Sequence, residues 1–81
     1  MVKMNKTLAK MLLIINQLST DLRYAEYIAD KMGIHRPNVS ADIRSMERAG
    51  WLKTSRYKQR KLITNLDEQA VKEAVVYIDA V

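Results

Sequence analysis

The sequence predicts a mostly α domain with one small β-hairpin, in the order α-α-α-β-β-α. Three observations carry this. Apolar residues recur at helical spacing over residues 4–49, alternate with period two over residues 51–66, and return to helical spacing from residue 67. Only two glycines occur, Gly33 and Gly50, and each stands where a helical pattern stops. The single proline, Pro37, falls where a new helix opens, a position at which its missing N–H is harmless.

The first helix is predicted from Met4, Leu8, Met11, Leu12, Ile15 and Leu18, with Asn5 or Thr7 as its cap and an end near Leu18. Leu13 and Ile14 fall off its apolar stripe and form a surplus. A second helix fits Leu22–Met32, with Ala25, Ile28, Ala29 and Met32 inward and Thr20 or Asp21 as cap. Gly33 follows as a residue free to take a left-handed backbone. The third helix fits Arg36–Ala49, with Val39, Ile43 and Met46 at i, i+4 and i+7 as its buried stripe, and Gly50 ends it.

After Gly50 the alternation reads as a hairpin, Trp51–Arg56 with Arg60–Leu66. Leu52, Thr54 and Arg56 share one face of the first strand, and Leu62, Thr64 and Leu66 share one face of the second. The tip lies near Tyr57-Lys58-Gln59, and without a glycine a loop longer than two residues is expected. The last helix fits Asp67–Val81, with Thr64 or Asn65 as candidate cap and early acids that complement the helix dipole. Its apolar positions, Leu66, Ala70, Val71, Ala74, Val75, Tyr77, Ile78 and Val81, cover more than half of the wheel, and Val76 lies outside even that stripe.

The composition narrows the function. At 81 residues one small domain, 1–81, is expected; 48% hydrophobic and 28% charged residues are those of a globular chain. There is no cysteine and His35 is the only histidine, which removes thiolate chemistry and a Cys- or His-rich metal site within one chain. No glycine-rich phosphate loop and no Cys/His pair is present, so neither an enzyme nor a cofactor is expected. The apolar run Met11–Ile15 is far too short to span a bilayer and lacks a cleavage site. The expectation is no membrane association and a cytoplasmic protein, in the host cytoplasm if the source is viral.

The net charge of +5 is unevenly placed. Residues 53–61 hold Lys53, Arg56, Lys58, Arg60 and Lys61 and no acid, while residues 65–81 carry a net −3. A basic segment of this kind points to an anionic partner.

Two helices joined by a tight glycine turn and followed by a basic hairpin make a winged helix-turn-helix. The helix-turn-helix takes up about 22–49, the wing about 51–66, and the C-terminal helix about 67–81. The segment Gly33-Ile34-His35-Arg36-Pro37-Asn38-Val39-Ser40, with Ile43, Met46-Glu47 and Gly50-Trp51-Leu52, resembles the recognition segment of the MarR-type transcription regulators. Those commonly read G-hydrophobic-S-R-P-T-V-S, then an apolar residue, then L-E, then G and two hydrophobics. The match runs about twenty residues without a gap, and Ile28-Ala29 ahead of it also fits. Three departures stand out. His35 sits where the family often has a capping serine, Asp42 where it is often apolar, and a single long helix follows a short wing.

The resemblance implies a regulator that binds double-stranded DNA, with the third helix in the major groove. With Val39, Ile43 and Met46 inward, the outer face carries Pro37, Ala41, Arg44, Ser45 and Arg48. Base contact is assigned to Arg36, Asn38 and Ala41: arginine pairs with guanine, asparagine with adenine, and a small side chain admits a thymine methyl. Phosphate contact is assigned to Ser40, Arg44 and Arg48, and wing contact with phosphates or the minor groove to Arg56, Lys58 and Arg60. The competing reading is a solvated helix face and an edge ribbon protected by charge. Trp51 is expected in the core, His35 at the surface or as a cap, and Tyr57 either stacks or bonds a phosphate or only covers the hairpin.

A helix-turn-helix reads few base pairs, and two-fold pairing doubles the site. The surplus at Leu13, Ile14, Val75 and Val76 therefore suggests a homodimer through the first and last helices. A repressor that occupies a promoter is the expected role, and a small-molecule effector is not expected in so short a chain. The alternative is a winged-helix interaction subunit of a replication, packaging or transcription complex.

Overall fold

In the computed structural model, which describes residues 2–79, α1 spans Lys6–Gln17 and is capped by Asn5, whose Oδ1 accepts from Leu8 N–H at 2.9 Å. Leu8, Ala9, Met11, Leu12 and Ile15 are buried along its length. Burying each large apolar side chain contributes about 1.5–3 kcal/mol, against propensity differences of about 0–0.7 kcal/mol per residue, so packing decides this helix. Its C-terminal carbonyl at Leu18 accepts from Arg23 Nε at 3.0 Å.

The second helical stretch is shorter than its pattern suggests. Thr20–Leu22 forms a separate 3-10 turn, and α2 spans Ala25–Met32 behind Tyr24, with no side-chain cap from Thr20 or Asp21. The cause is tertiary. The Arg23 carbonyl accepts from Ile63 N–H of the hairpin at 2.9 Å, so the backbone at Arg23 (φ −86°, ψ 61°) leaves helical geometry to meet that strand. Ile28 and Ala29 are buried, and Ala25 and Met32 pack partly against the core.

Both glycines close helices in the same way. After α2, Gly33 takes φ 66°; its N–H donates to Asp30 O (3.3 Å) and Ile34 N–H to Ala29 O (3.1 Å). After α3 (Arg36–Arg48), Gly50 takes φ 81°; its N–H donates to Glu47 O (3.1 Å) and Trp51 N–H to Met46 O (2.9 Å). Each is a Schellman closure, which satisfies two orphan carbonyls and needs a left-handed residue. Trp51, half-buried, packs against the core beside Met46. Val39, Ile43 and Met46 are the buried residues of α3, as their spacing predicts.

The hairpin pairs β1 (Leu52–Tyr57) with β2 (Arg60–Leu66) in antiparallel register. Two details differ from the expected alternation. Leu52 pairs with Leu66 and Lys53 with Asn65, but Thr54 pairs with Ile63, so Thr64 is an extra, bulged residue. Its hydroxyl donates to Lys53 O at 3.4 Å. The bulge puts Ile63, and not Leu62 or Thr64, on the inner face with Leu66, and Ile63 is buried. The tip is also a two-residue turn, Lys58-Gln59, and Lys58 takes φ 57° in place of a glycine.

Helix α4 (Glu68–Asp79) is capped by Asp67, whose Oδ2 accepts from Ala70 N–H at 3.0 Å. Thr64 and Asn65 cannot cap it, because both lie within β2. The expected helix end at Val81 lies outside the described residues. Ala70 and Ala74 are buried where α4 packs along α1, and such small side chains let two helices approach closely. The core thus joins α1, all other helices and the inner face of the hairpin: Leu52 and Ile63 share it with Leu12, Ile28, Val39 and Met46.

Candidate nucleic-acid interface

The buried stripe of α3 turns its other faces outward. Arg36, Asn38, Ala41, Arg44 and Arg48 are exposed, and Ser40 and Ser45 are half-exposed. His35, immediately before the helix, is exposed and makes no side-chain cap, so the helix starts without the bond a serine would supply. Asp42 is half-buried on the flank of α3, and that burial pushes its carboxyl above the ordinary carboxylate range.

The hairpin is tied to α3 through one carboxylate. Glu47 Oε2 accepts from the Thr54 hydroxyl at 2.5 Å, and Glu47 Oε1 accepts from Lys61 Nζ at 3.3 Å. The Thr54 hydrogen bond, helped by the Lys61 charge, holds the Glu47 carboxyl below its ordinary range. Thr54 and Lys61 therefore fix the orientation of β1 and β2 against the last turn of α3.

The result is a cleft of about 230 Å³ between α2, α3 and the hairpin. Arg36, Ser40 and Arg44 line it from α3, and Arg56, Gln59, Arg60 and Lys61 from the hairpin. Of the expected contact residues, then, Arg36, Ser40, Arg44, Arg56 and Arg60 come together. Asn38, Ala41 and Arg48 lie on exposed parts of α3 outside the cleft, and Lys58 sits at the hairpin tip.

Besides Lys61, which Glu47 holds, two of the cleft's cations have partners on α2 or its cap. The Arg36 guanidinium lies 3.4 Å from Glu26 Oε1, and the Arg60 guanidinium stacks 4.1 Å from the centre of the Tyr24 ring. Neither partner was readable from the sequence, since each is contributed by the start of α2. Tyr57 is 62% exposed, with Lys58 Nζ 5.6 Å from its ring centre, so most of the ring is open to solvent.

Outside the cleft, Leu13 packs partly against the core and Ile14 is half-buried. Val75 and Val76 are exposed on α4, and Tyr77 beside them is as well. Among the described residues no helix is long and apolar enough to cross a membrane, and no group of three potential metal ligands converges.

No protein-family model and no curated protein matches the sequence. Solved structures do. MepR, a transcription regulator of the Staphylococcus aureus multidrug efflux pump MepA, aligns with TM-score 0.73 at 22% identity, covering 94% of this chain and 56% of that one. The S. aureus MepR–DNA complex aligns with TM-score 0.76 at 19% identity, over 95% of this chain and 56% of that one. A mutant of Lactococcus lactis ZitR aligns with TM-score 0.70 at 27% identity, over 96% and 53%.

The fold is a winged helix-turn-helix. Its structural neighbours are winged-helix transcription regulators like those of the MarR type. The chain spans a little over half the length of the solved structures it matches. In winged-helix terms α2 and α3 stand where the helix-turn-helix does and β1 and β2 where the wing does, and the Glu47 bridge joins that hairpin to α3.

Proposed function

We propose that the chain is a sequence-specific regulator that binds double-stranded DNA, acting as a repressor by occupying its site. In this reading α3 enters the major groove, with Arg36, Asn38 and Ala41 at base edges and Ser40, Arg44 and Arg48 at phosphates. The wing, through Arg56, Lys58 and Arg60, follows the flanking phosphates or the minor groove. The observation that carries the proposal is the cleft in which α3 and the wing present Arg36, Arg44, Arg56 and Arg60 to one side of the molecule. One of the structural neighbours is a complex with DNA, which supports the DNA-binding reading.

Two copies pair through Leu13, Ile14, Val75 and Val76, which places two recognition helices in successive grooves. The exposed valines of α4, remote from the arginine cleft, support this arrangement. The net −3 of residues 65–81 suits a helix held away from DNA.

Selection of bound sequences from a random duplex pool tests the proposal, followed by gel shifts of the selected and a scrambled duplex at two salt concentrations. Enrichment of one motif and a steep salt dependence are expected. Absence of binding at low salt overturns the proposal and favours an interaction subunit, a role for which the exposed Val76 and Tyr77 would serve.

A further inference from the structure

We infer that Glu26 sets sequence discrimination by reserving Arg36 for a base edge and denying it to phosphate. The inference rests on the DNA-binding reading above. Among the described residues lining the cleft, Glu26 is the one carboxylate beside five cations: Arg36, Arg44, Arg56, Arg60 and Lys61. It lies 3.4 Å from a terminal nitrogen of Arg36, the first residue of the recognition helix.

The cations are not equivalent. Lys61 is paired with Glu47 and Arg60 is stacked on Tyr24. Arg44 and Arg56 have no such partner among the described residues, so they suit phosphates. Arg36 differs because a negative charge already stands beside it. A phosphate brought to Arg36 meets the Glu26 carboxylate, and like charges at that range repel. A guanine edge offers O6 and N7 without a formal charge and meets no such repulsion. The guanidinium has five N–H donors in a planar fork, so one nitrogen can stay with Glu26 while another edge reaches the base.

In solution the pair is exposed, 63% for Arg36 and 57% for Glu26, and exposed pairs of this kind are weak. DNA covering the cleft removes water from it and strengthens the interaction at the moment of recognition. Glu26 is therefore a positioning residue. It also acts against the wrong ligand, which is how specificity commonly exceeds affinity.

The test compares the intact chain with Glu26→Gln on the duplex selected from the random pool and on a scrambled duplex of equal length, across a salt series. Loss of the carboxylate frees Arg36 for one more phosphate, so the log–log salt slope on the scrambled duplex steepens by about 0.9. The ratio of selected to scrambled affinity falls by about tenfold, within the discrimination that one bidentate base contact supplies. Glu26→Asp keeps the charge and retains the wild-type slope. Glu73→Gln, the same charge change on α4 outside the cleft, leaves slope and ratio where they were. In an Arg36→Ala background, Glu26→Gln changes neither.

Four results overturn the inference. Glu26→Gln matches wild type in slope and ratio, or it weakens both duplexes equally, as a purely structural residue would. Its effect persists without Arg36, which places Glu26 itself on a base. Wild type binding neither duplex removes the DNA-binding reading and this inference together, whereas a selective wild type with an indifferent Glu26→Gln removes this inference alone.

Discussion

Replacing Glu47 with glutamine probes the joint between the wing and the recognition helix. The substitution keeps the shape, removes the charge that pairs with Lys61, and weakens the acceptor for the Thr54 hydroxyl. The carboxylate is 36% exposed and Lys61 46%, so water screens much of their attraction, and the ion pair is worth about 0–1 kcal/mol. The hydrogen bond from Thr54 to a charged acceptor is shorter and half-buried, and such a bond contributes about 1.5 kcal/mol or more, part of which glutamine retains. The net expectation is a loss of about 1 kcal/mol at pH 7. For a domain of this size that lowers the melting temperature by roughly 4–8 °C.

The sign with pH follows from the direction of the shift. The Glu47 carboxyl is held below its ordinary range in the folded state. Its contribution is therefore complete above the unfolded pKa, about 4.3, and is lost as pH falls through the lower folded value. Thermal and urea unfolding of both proteins at pH 7, 5 and 3 reads this directly. The gap between wild type and Glu47→Gln is expected to hold from pH 7 to 5 and to shrink towards pH 3. A gap of equal size at pH 7 and pH 3 would refute the electrostatic argument, as would no gap at neutral pH.

Three further expectations follow from the same coordinates. Gly50→Ala meets no atom within 4 Å, so its cost is that of a left-handed backbone alone, about 1–2 kcal/mol by urea unfolding. Arg36→Ala and Asn38→Ala each relax base preference at one position by about 1–3 kcal/mol in competition binding, whereas Lys58→Asn, which suits φ 57°, keeps the turn and weakens all duplexes alike; an unchanged ranking of duplexes with Arg36→Ala would undo the base assignment. Val76→Asp is expected to convert the proposed dimer to the 9.4 kDa monomer in sedimentation, and a wild type already monomeric at high micromolar concentration would reject the dimer.

What was legible in the sequence was whatever repeats. The stripe of Val39, Ile43 and Met46, the stripe of α1 and both glycine closures could be read because helical period and left-handed turns leave local marks. The charge run in the wing was equally plain. The misreadings sit where distant segments meet. Arg23 looks helical by its neighbours but gives its carbonyl to Ile63, forty residues away. Thr64 fits the alternation perfectly as letters, and only pairing with β1 makes it surplus. Asp67 was seen as a first-turn acid and is the cap, because β2 runs two residues past Thr64. The site was half visible for the same reason. The arginines could be assigned a face, but Glu26 and Tyr24, which hold two of them, lie on another element and carry no local signature.

The surplus residue in β2 has a consequence for how this ribbon can vary. Were Thr64 paired in register instead of looped out, Leu62 would share the core-facing side with Leu66, and Lys61 would be carried to the far surface, away from Glu47. Excising the amino acid at 64 would thus restore plain alternation, with Ile63 still opposite Thr54, and leave both faces as they are, as would adding residues between 57 and 60. Length changes in related chains should therefore fall at the tip or at this one position, and a chain that kept the residue but paired it in register would carry its cationic side turned away from the third helix.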